Sequence, residues 1–213
     1  MYPFVTHTWN PIRGCAYCCK YCYVKSLRGY DMTPRLVEKE FKTPLGSGNF
    51  IFVGSTSDMF GDFIEDAWIQ RVLEYCNNFD NTYLFQSKNP KRFRDFKNLF
   101  PKKTYLATTI ESNVDYNVSK SPAPLSRALW FRGLSIPGVK KMVSIEPVLD
   151  FNPTTLLNVI RGIDPVLVTI GADSKHHKYL REPNPDKVKL LIKDLRTFTK
   201  VIVKGNLKRL IGE

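Results

Sequence analysis

Seven short apolar or β-branched stretches recur along the chain, at 4–8, 49–53, 82–86, 104–110, 141–145, 166–170 and 200–203. Between them lie stretches with helical spacing. One is 65–77, where Trp68, Ile69, Val72 and Leu73 share a face; the others are a basic helix at 90–99, then 125–134, 154–161 and 186–198. Strands alternating with helices argue for parallel β/α units. In such folds chemistry gathers where strand C-termini meet the following loops. The exits here are polar: Gly54-Ser55-Thr56-Ser57-Asp58, Gln86-Ser87-Lys88, Thr108-Thr109-Ile110-Glu111-Ser112, Ser144-Ile145-Glu146 and Gly171-Ala172-Asp173-Ser174. Apolar interiors with polar exits imply one mouth shared by all the loops. Neither a repeat nor a low-complexity tract interrupts the pattern, and Gly46-Ser47-Gly48 reads as a loop. The 213 residues are expected to form a single domain, 1–213, with a sizeable core.

Chemistry concentrates near the start. Four of the five cysteines, Cys15, Cys18, Cys19 and Cys22, fall within eight residues; Cys76 stands apart. Packing does not demand such crowding, whereas thiolates converging on an inorganic centre do. Structural zinc normally takes two Cys/His pairs from separate loops. Here a second pair is missing, since the remaining candidates are Cys76, His7, His176 and His177. Disulfides between residues this close are sterically poor and belong to oxidising compartments. The third reading takes Cys15, Cys19 and Cys22, spaced C-x3-C-x2-C, as iron–sulfur ligands. Cys18 lies inside the first gap and is taken as a bystander.

Composition sets the outer limits. Hydrophobic and charged fractions of 43% and 24% are ordinary for a globular chain. No apolar run approaches the ~20 residues of a membrane span. Met1-Tyr2-Pro3-Phe4 shows no basic leader or apolar signal segment. Clustered cysteines in odd number suggest a reducing, cytoplasmic setting. A formal net charge of +12 points to an anionic partner, nucleic acid above all.

The C-x3-C-x2-C spacing with an aromatic, Tyr21, before the last cysteine resembles the signature of the radical SAM superfamily. Further stretches narrow the likeness: Thr8-Trp9-Asn10-Pro11, Ser55 to Phe60, Gln86 to Arg92, Ser144-Ile145-Glu146-Pro147 and Gly171 to Ser174. Together they resemble a phage- and prophage-associated radical SAM family, described mainly as a domain of unknown function. Its cysteine loop is similar to that of spore photoproduct lyase, a DNA repair enzyme. The present chain is more compact around the first cysteines than is usual there.

The resemblance implies an α/β fold, a partial (β/α)6–7 TIM-like barrel. It implies a 4Fe–4S cluster on Cys15, Cys19 and Cys22 whose fourth iron is chelated by S-adenosylmethionine. One-electron reduction would then yield a 5′-deoxyadenosyl radical that abstracts hydrogen from a substrate, with flavodoxin or ferredoxin as electron donor. For S-adenosylmethionine it implies Gly54, Ser55, Thr56, Ser57 and Asp58 around the amino group, and Glu111, Ser112 and Ser144 around ribose and carboxylate. Tyr21 and Tyr23 are expected against the cluster or adenine. The same residues also read as a glycine turn with a helix cap at Ser57 or Asp58 and as core aromatics. Lys88, Glu146 and Asp173 are candidate substrate ligands because they stand at strand exits.

The expected substrate is nucleic acid or a nucleotide, DNA or RNA, in repair or modification. A peptide or small metabolite under the same radical chemistry is the alternative, and a zinc-binding nucleic-acid module the outsider. Lys88 to Lys103 holds seven Lys/Arg against one acid, interleaved with Phe93, Phe96 and Phe100; residues 175–213 hold eleven against four. These stretches suit phosphate contact and stacking, and the first equally suits an amphipathic helix. His176-His177 reads as a solvated loop pair.

Overall fold

A computed structural model describes residues 2–212. Seven strands form one sheet: β1 His7–Trp9, β4 Phe50–Val53, β5 Thr82–Gln86, β6 Thr104–Thr109, β7 Lys140–Ile145, β8 Leu167–Ile170 and β9 Lys200–Val203. They lie side by side in chain order, and every neighbouring pair is parallel. β2 Ile12–Arg13 and β3 Arg35–Leu36 make a separate antiparallel ribbon within the first crossover. Among the described residues β1 and β9 do not pair with each other. The sheet is therefore an open arc, a partial barrel, with its crossovers on the convex side: α1 Asp66–Cys76, α2 Pro124–Arg132, α3 Pro153–Ile163 and α4 Pro185–Leu195, followed by α5 Lys208–Ile211.

The period-two alternation of strand side chains builds two layers. Ile51, Val53, Tyr83, Phe85, Leu106, Val143, Ile145, Val168 and Ile170 point outward and pack with the helices in the main core. Leu84, Ala107, Met142 and Leu167 point inward and pack with Phe50, Phe52, Tyr105 and Ile202. Tyr2, Phe4 and Val5 come up from the segment before β1 to close this inner layer, with the Tyr2 and Phe4 rings stacked at 5.5 Å. Continuing the inward parity one step toward each strand's C-terminus brings Gln86, Thr109, Ser144 and Lys204 to the same interior. The barrel is thus apolar at its floor and polar at its rim.

Two expected elements differ. The first strand is His7–Trp9 rather than 4–8, because residues 2–5 turn beneath the barrel, with the Val5 N–H donating to Tyr2 O at 3.1 Å. The basic helix at 90–99 is only a 3₁₀ turn, Pro90–Arg94. Tertiary contacts override its amphipathic spacing: Phe93 is buried, and the Arg92 guanidinium donates to the carbonyls of Gly61 and Ile64 and pairs with Asp66. No helix among the described residues is long and apolar enough to cross a membrane.

Candidate active site

The cysteine loop leaves the ribbon at Gly14, whose φ of +83° is the left-handed region that favours glycine. A β-carbon there would lie 2.2 Å from Thr33 O, so the position accepts no side chain. Cys15 N–H then donates to Met32 O at 2.9 Å, and Ser57 Oγ donates to Gly14 O at 2.6 Å. On its other side the loop is stapled to the segment after β6. Lys20 N–H donates to Val118 O and Lys120 N–H to Tyr17 O, both at 2.8 Å, while Ser119 Oγ lies 3.2 Å from Cys19 Sγ. These contacts turn Cys15, Cys19 and Cys22 onto one wall of a cavity of about 500 Å³ at the barrel's C-terminal mouth. Cys18, at φ +51°, is exposed and absent from that wall. Cys76 is buried in the core on α1.

The electrostatics at Cys15 fit a cationic guest. Burial, then the Asp58 carboxylate, then the neighbouring Cys19 and Cys22 push the Cys15 thiol up to about 12. Thiolates crowded into one space repel, and a bound metal centre reverses that sign. Among the described residues, neither a fourth cysteine nor a histidine lines the cavity. Nor are any three His, Cys, Asp or Glu side chains gathered closely enough to hold a single ion. Three cysteine thiols thus face one open volume, and the Met32 thioether is a further sulfur on its lining.

The loop is bonded directly to the β4 exit, through a bridge between Gly14 and Ser57. Asn10 Oδ1 accepts from Ser55 Oγ, Thr56 N–H and Thr56 Oγ1 at 3.1–3.2 Å. Tyr23 donates its hydroxyl to Ser55 O at 2.8 Å and Tyr30 to Thr56 O at 2.9 Å. Asp58 is buried and accepts from Ser87 Oγ at 2.6 Å and Lys88 N–H at 2.7 Å; burial raises its carboxyl despite those donors. Ser55, Thr56, Ser57 and Asp58 all line the cavity. Gly54, at φ +74°, sits against Met59 and does not.

Behind the cysteine loop is a buried ionic knot. Arg127, on α2, holds Glu111 with Nη2 2.8 Å from Oε2 and Nη1 3.3 Å from Oε1; their side chains are 3% and 2% exposed. Lys88 Nζ lies 3.2 Å from Glu111 Oε1 and 5.4 Å over the Tyr21 ring, whose hydroxyl donates to the same carboxylate. Burial alone would raise Glu111, but Arg127 and then Lys88 outweigh it and bring the carboxyl down to about 2. The knot thereby fixes Tyr21, one residue before Cys22, and leaves Lys88 on the cavity wall. Ser112 is buried, donating Oγ to Asp150 O at 2.6 Å. Neither Glu111 nor Ser112 lines the cavity.

The far wall is the β7–β9 side. Glu146 Oε2 pairs with Lys204 Nζ at 2.7 Å, and Lys204 Nζ stands 5.0 Å over the Tyr2 ring. Asn206 Nδ2 donates to Ala172 O at 2.7 Å and to Glu146 Oε1 at 3.3 Å. Gly171 makes room for both, since a β-carbon there would lie 2.8 Å from Asn206 Oδ1 and 2.9 Å from Glu146 Oε1. Tyr2 donates its hydroxyl to Gln86 Oε1 at 2.7 Å and forms the floor; burial raises its phenol strongly. Asp173 is held low against burial by the His177 and Lys175 backbone N–H groups and by the His177 ring, 2.8 Å away. His177 is therefore a half-buried partner of Asp173 rather than a solvated loop residue.

A family model described as a protein of unknown function, DUF5131, matches residues 2–188. The chain belongs to that family. No curated protein matches DUF5131's present member. Solved structures do. A mutant spore photoproduct lyase with bound AdoMet and dinucleoside spore photoproduct aligns at 12% identity with a TM-score of 0.68, covering 95% of this chain and 77% of that one. Another spore photoproduct lyase, complexed with the dinucleoside spore photoproduct, gives 13% and 0.60 over 91% and 75%. Streptococcus suis SuiB bound to precursor peptide SuiA gives 9% and 0.62, over 95% of this chain and 49% of SuiB. All are radical SAM enzymes. At these identities the likeness establishes that this DUF5131 chain shares their partial-barrel fold.

Of the residues singled out from sequence, Cys15, Cys19, Cys22, Tyr21, Tyr23, Ser55, Thr56, Ser57, Asp58, Lys88, Ser144, Glu146 and Asp173 all face this one cavity. Tyr2, Arg127, Lys204 and Asn206 were not singled out. A usable signal existed for two of them. Lys204 extends the inward parity of β9, and Arg127 is an isolated charge beside Ala128 and Phe131 on a buried helix face.

Proposed function

We propose that this chain is a radical SAM enzyme acting on nucleic acid or a nucleotide. The observation carrying the reading is that Cys15, Cys19 and Cys22 all line the cavity at the C-terminal mouth of an open parallel barrel, with no fourth cysteine among its described lining residues. Those residues would hold a 4Fe–4S cluster, and the hydroxyls and carbonyls of Ser55 to Ser57 suit the ammonium of S-adenosylmethionine. When bound, the pair supplies one-electron cleavage of a carbon–sulfur bond and a 5′-deoxyadenosyl radical able to abstract hydrogen.

The chain's own residues have separate tasks in this reading. Tyr21, anchored on Glu111, orients the last turn of the cysteine loop. Tyr2, Phe52 and the inner apolar layer close the floor against water, which protects a reactive intermediate. Lys88, Lys175 and Lys204 share the cavity lining with Asp58, Glu146 and Asp173, and Lys88 and Lys204 are paired with Glu111 and Glu146; the support for an anionic substrate is the net charge of +12. The dinucleoside named for a structural neighbour supports the same class. An electron donor of the flavodoxin or ferredoxin type is the proposed redox partner.

The test is anaerobic reconstitution with iron and sulfide, reduction with dithionite, and chromatographic detection of 5′-deoxyadenosine. Cys19→Ala should abolish both the brown chromophore and the product, whereas Cys18→Ser should retain both. A Cys19→Ala protein that keeps them overturns the ligand assignment.

A further inference from the structure

A second concavity of about 670 Å³ opens beside the cysteine loop, lined by Lys20, Val114 to Val118, and Tyr179 to Arg181. It differs in kind from the barrel cavity: it lies on the outer surface and is walled by two aromatics and two cations. Tyr179 is 60% exposed, although tyrosine commonly buries its ring. Its orientation is nevertheless fixed, because its hydroxyl donates to Lys20 O at 3.0 Å and its ring rests 5.0 Å from that of His177. His177 is in turn anchored on Asp173. Also lining the groove, the Arg181 guanidinium lies 5.7 Å over the Tyr116 ring. An exposed ring held rigid by its polar end is a stacking platform. A guanidinium laid on a second ring is another flat cationic surface.

The surroundings carry positive charge. Lys20, Lys120, Lys175 and Lys178 are exposed on the segments that frame the groove, with Asp115 the acid on its wall. Groove and cavity also share their structural members. Lys20 follows Cys19, and Val118, whose carbonyl accepts from the Lys20 N–H, lines the groove. Lys175, four residues before Tyr179, lines the barrel cavity. Groove and cavity therefore adjoin the same cysteine loop, with Lys20 on one and Cys19 on the other.

We infer that this groove is a track for single-stranded nucleic acid, with Tyr179 as the base-stacking platform and Lys20 and Arg181 as phosphate contacts. The inference rests on the nucleic-acid reading above and specifies where the strand enters. Stacking plus charge suits a strand whose bases are already unpaired, and it delivers one base to the cavity without first opening a duplex.

The experiment is fluorescence anisotropy of the reconstituted protein with a labelled single-stranded DNA of about twelve nucleotides, within the site sizes such surfaces occupy. The same sequence as a duplex and an acidic peptide are run beside it. Tyr179→Ala should weaken single-strand binding roughly 5- to 150-fold, the loss of one stacked base. Tyr179→Phe, which keeps the ring but loses the hydroxyl that anchors it to Lys20 O, should weaken binding by much less than Tyr179→Ala. Arg181→Gln should reduce the salt slope by about 0.7, one phosphate contact. As a control, Lys140→Gln, exposed at the N-terminal end of β7 and so at the end of the barrel away from the mouth, should change neither.

Three results overturn the inference: Tyr179→Ala binding unchanged, Lys140→Gln weakening binding as much as Tyr179→Ala, or the duplex or acidic peptide binding tighter than the single strand. 5′-Deoxyadenosine formation by the unsubstituted protein is scored separately. Its loss alongside Tyr179-dependent binding refutes the enzyme reading, and the converse refutes the track.

Discussion

Arg127→Met removes one partner of a buried ion pair and leaves Glu111 inside the protein with only Lys88 and the Tyr21 hydroxyl. The cost follows from the carboxyl's position. A Glu held at about 2 in the folded state, against ~4.3 in the unfolded chain, contributes ~3 kcal/mol at neutral pH, at ~1.36 kcal/mol per decade. Breaking a buried pair from one side typically costs ~3–5 kcal/mol, so two independent routes agree. For a domain of this size that is a fall in Tm of about 6–20 °C.

The double variant Arg127→Met/Glu111→Leu should recover most of the loss, because no lone charge remains buried. The sign with pH is also fixed. Since the folded carboxyl is depressed, its contribution is complete above the unfolded value near 4.3 and disappears as pH falls toward 2. The deficit of Arg127→Met relative to the unsubstituted protein should therefore shrink on acidification through that window. Urea unfolding followed by circular dichroism at pH 7 and at pH 3.5 measures both quantities. A single-variant loss under ~1 kcal/mol, the range of an exposed pair, or a double variant that costs the sum of the singles, would refute the reasoning.

Two glycines give further checks. Gly14→Ala places a β-carbon 2.2 Å from the Thr33 carbonyl oxygen, a backbone atom that cannot rotate away. Iron incorporation should collapse while circular dichroism still reports the barrel; normal iron content would contradict the loop geometry. Gly171→Ala meets only the tips of Asn206 and Glu146, which can shift, so a loss of ~1–3 kcal/mol is expected with iron content intact. Adding Glu146→Ala should return part of that loss, and a further drop instead would show that the clash lies elsewhere.

The barrel was legible because its strands carry two signals at once, apolar interiors and polar exits. The exits at Gln86, Ser144, Glu146 and Asp173 point where a parallel β/α fold requires. Spacing set Cys15, Cys19 and Cys22 apart from Cys18, and those three line one cavity while Cys18 does not. What sequence did not reveal depends on long-range contacts. Tyr2 reaches the cavity floor from outside the first strand, and no local pattern marks a terminal aromatic as a lining residue. Arg127 was hidden in an otherwise helical stretch, and its partner Glu111 was read as facing the mouth. Glu111 in fact lies beyond the rim, behind Tyr21, where Arg127 and Lys88 occupy both its oxygens. The 90–99 stretch has helical spacing, but Phe93 and Arg92 are committed to contacts with 60–66 that a continuous helix would break.

The most direct test of the cluster geometry is electron paramagnetic resonance of the reduced, reconstituted protein with S-adenosylmethionine labelled with ¹⁵N at its amino group. The account predicts about four irons and four sulfides per chain and a hyperfine coupling between the cluster and the labelled nitrogen. That coupling should persist in Cys18→Ser and vanish in Cys22→Ala. A protein that binds one zinc, or one whose reduced cluster shows no coupling to the labelled nitrogen, would contradict it.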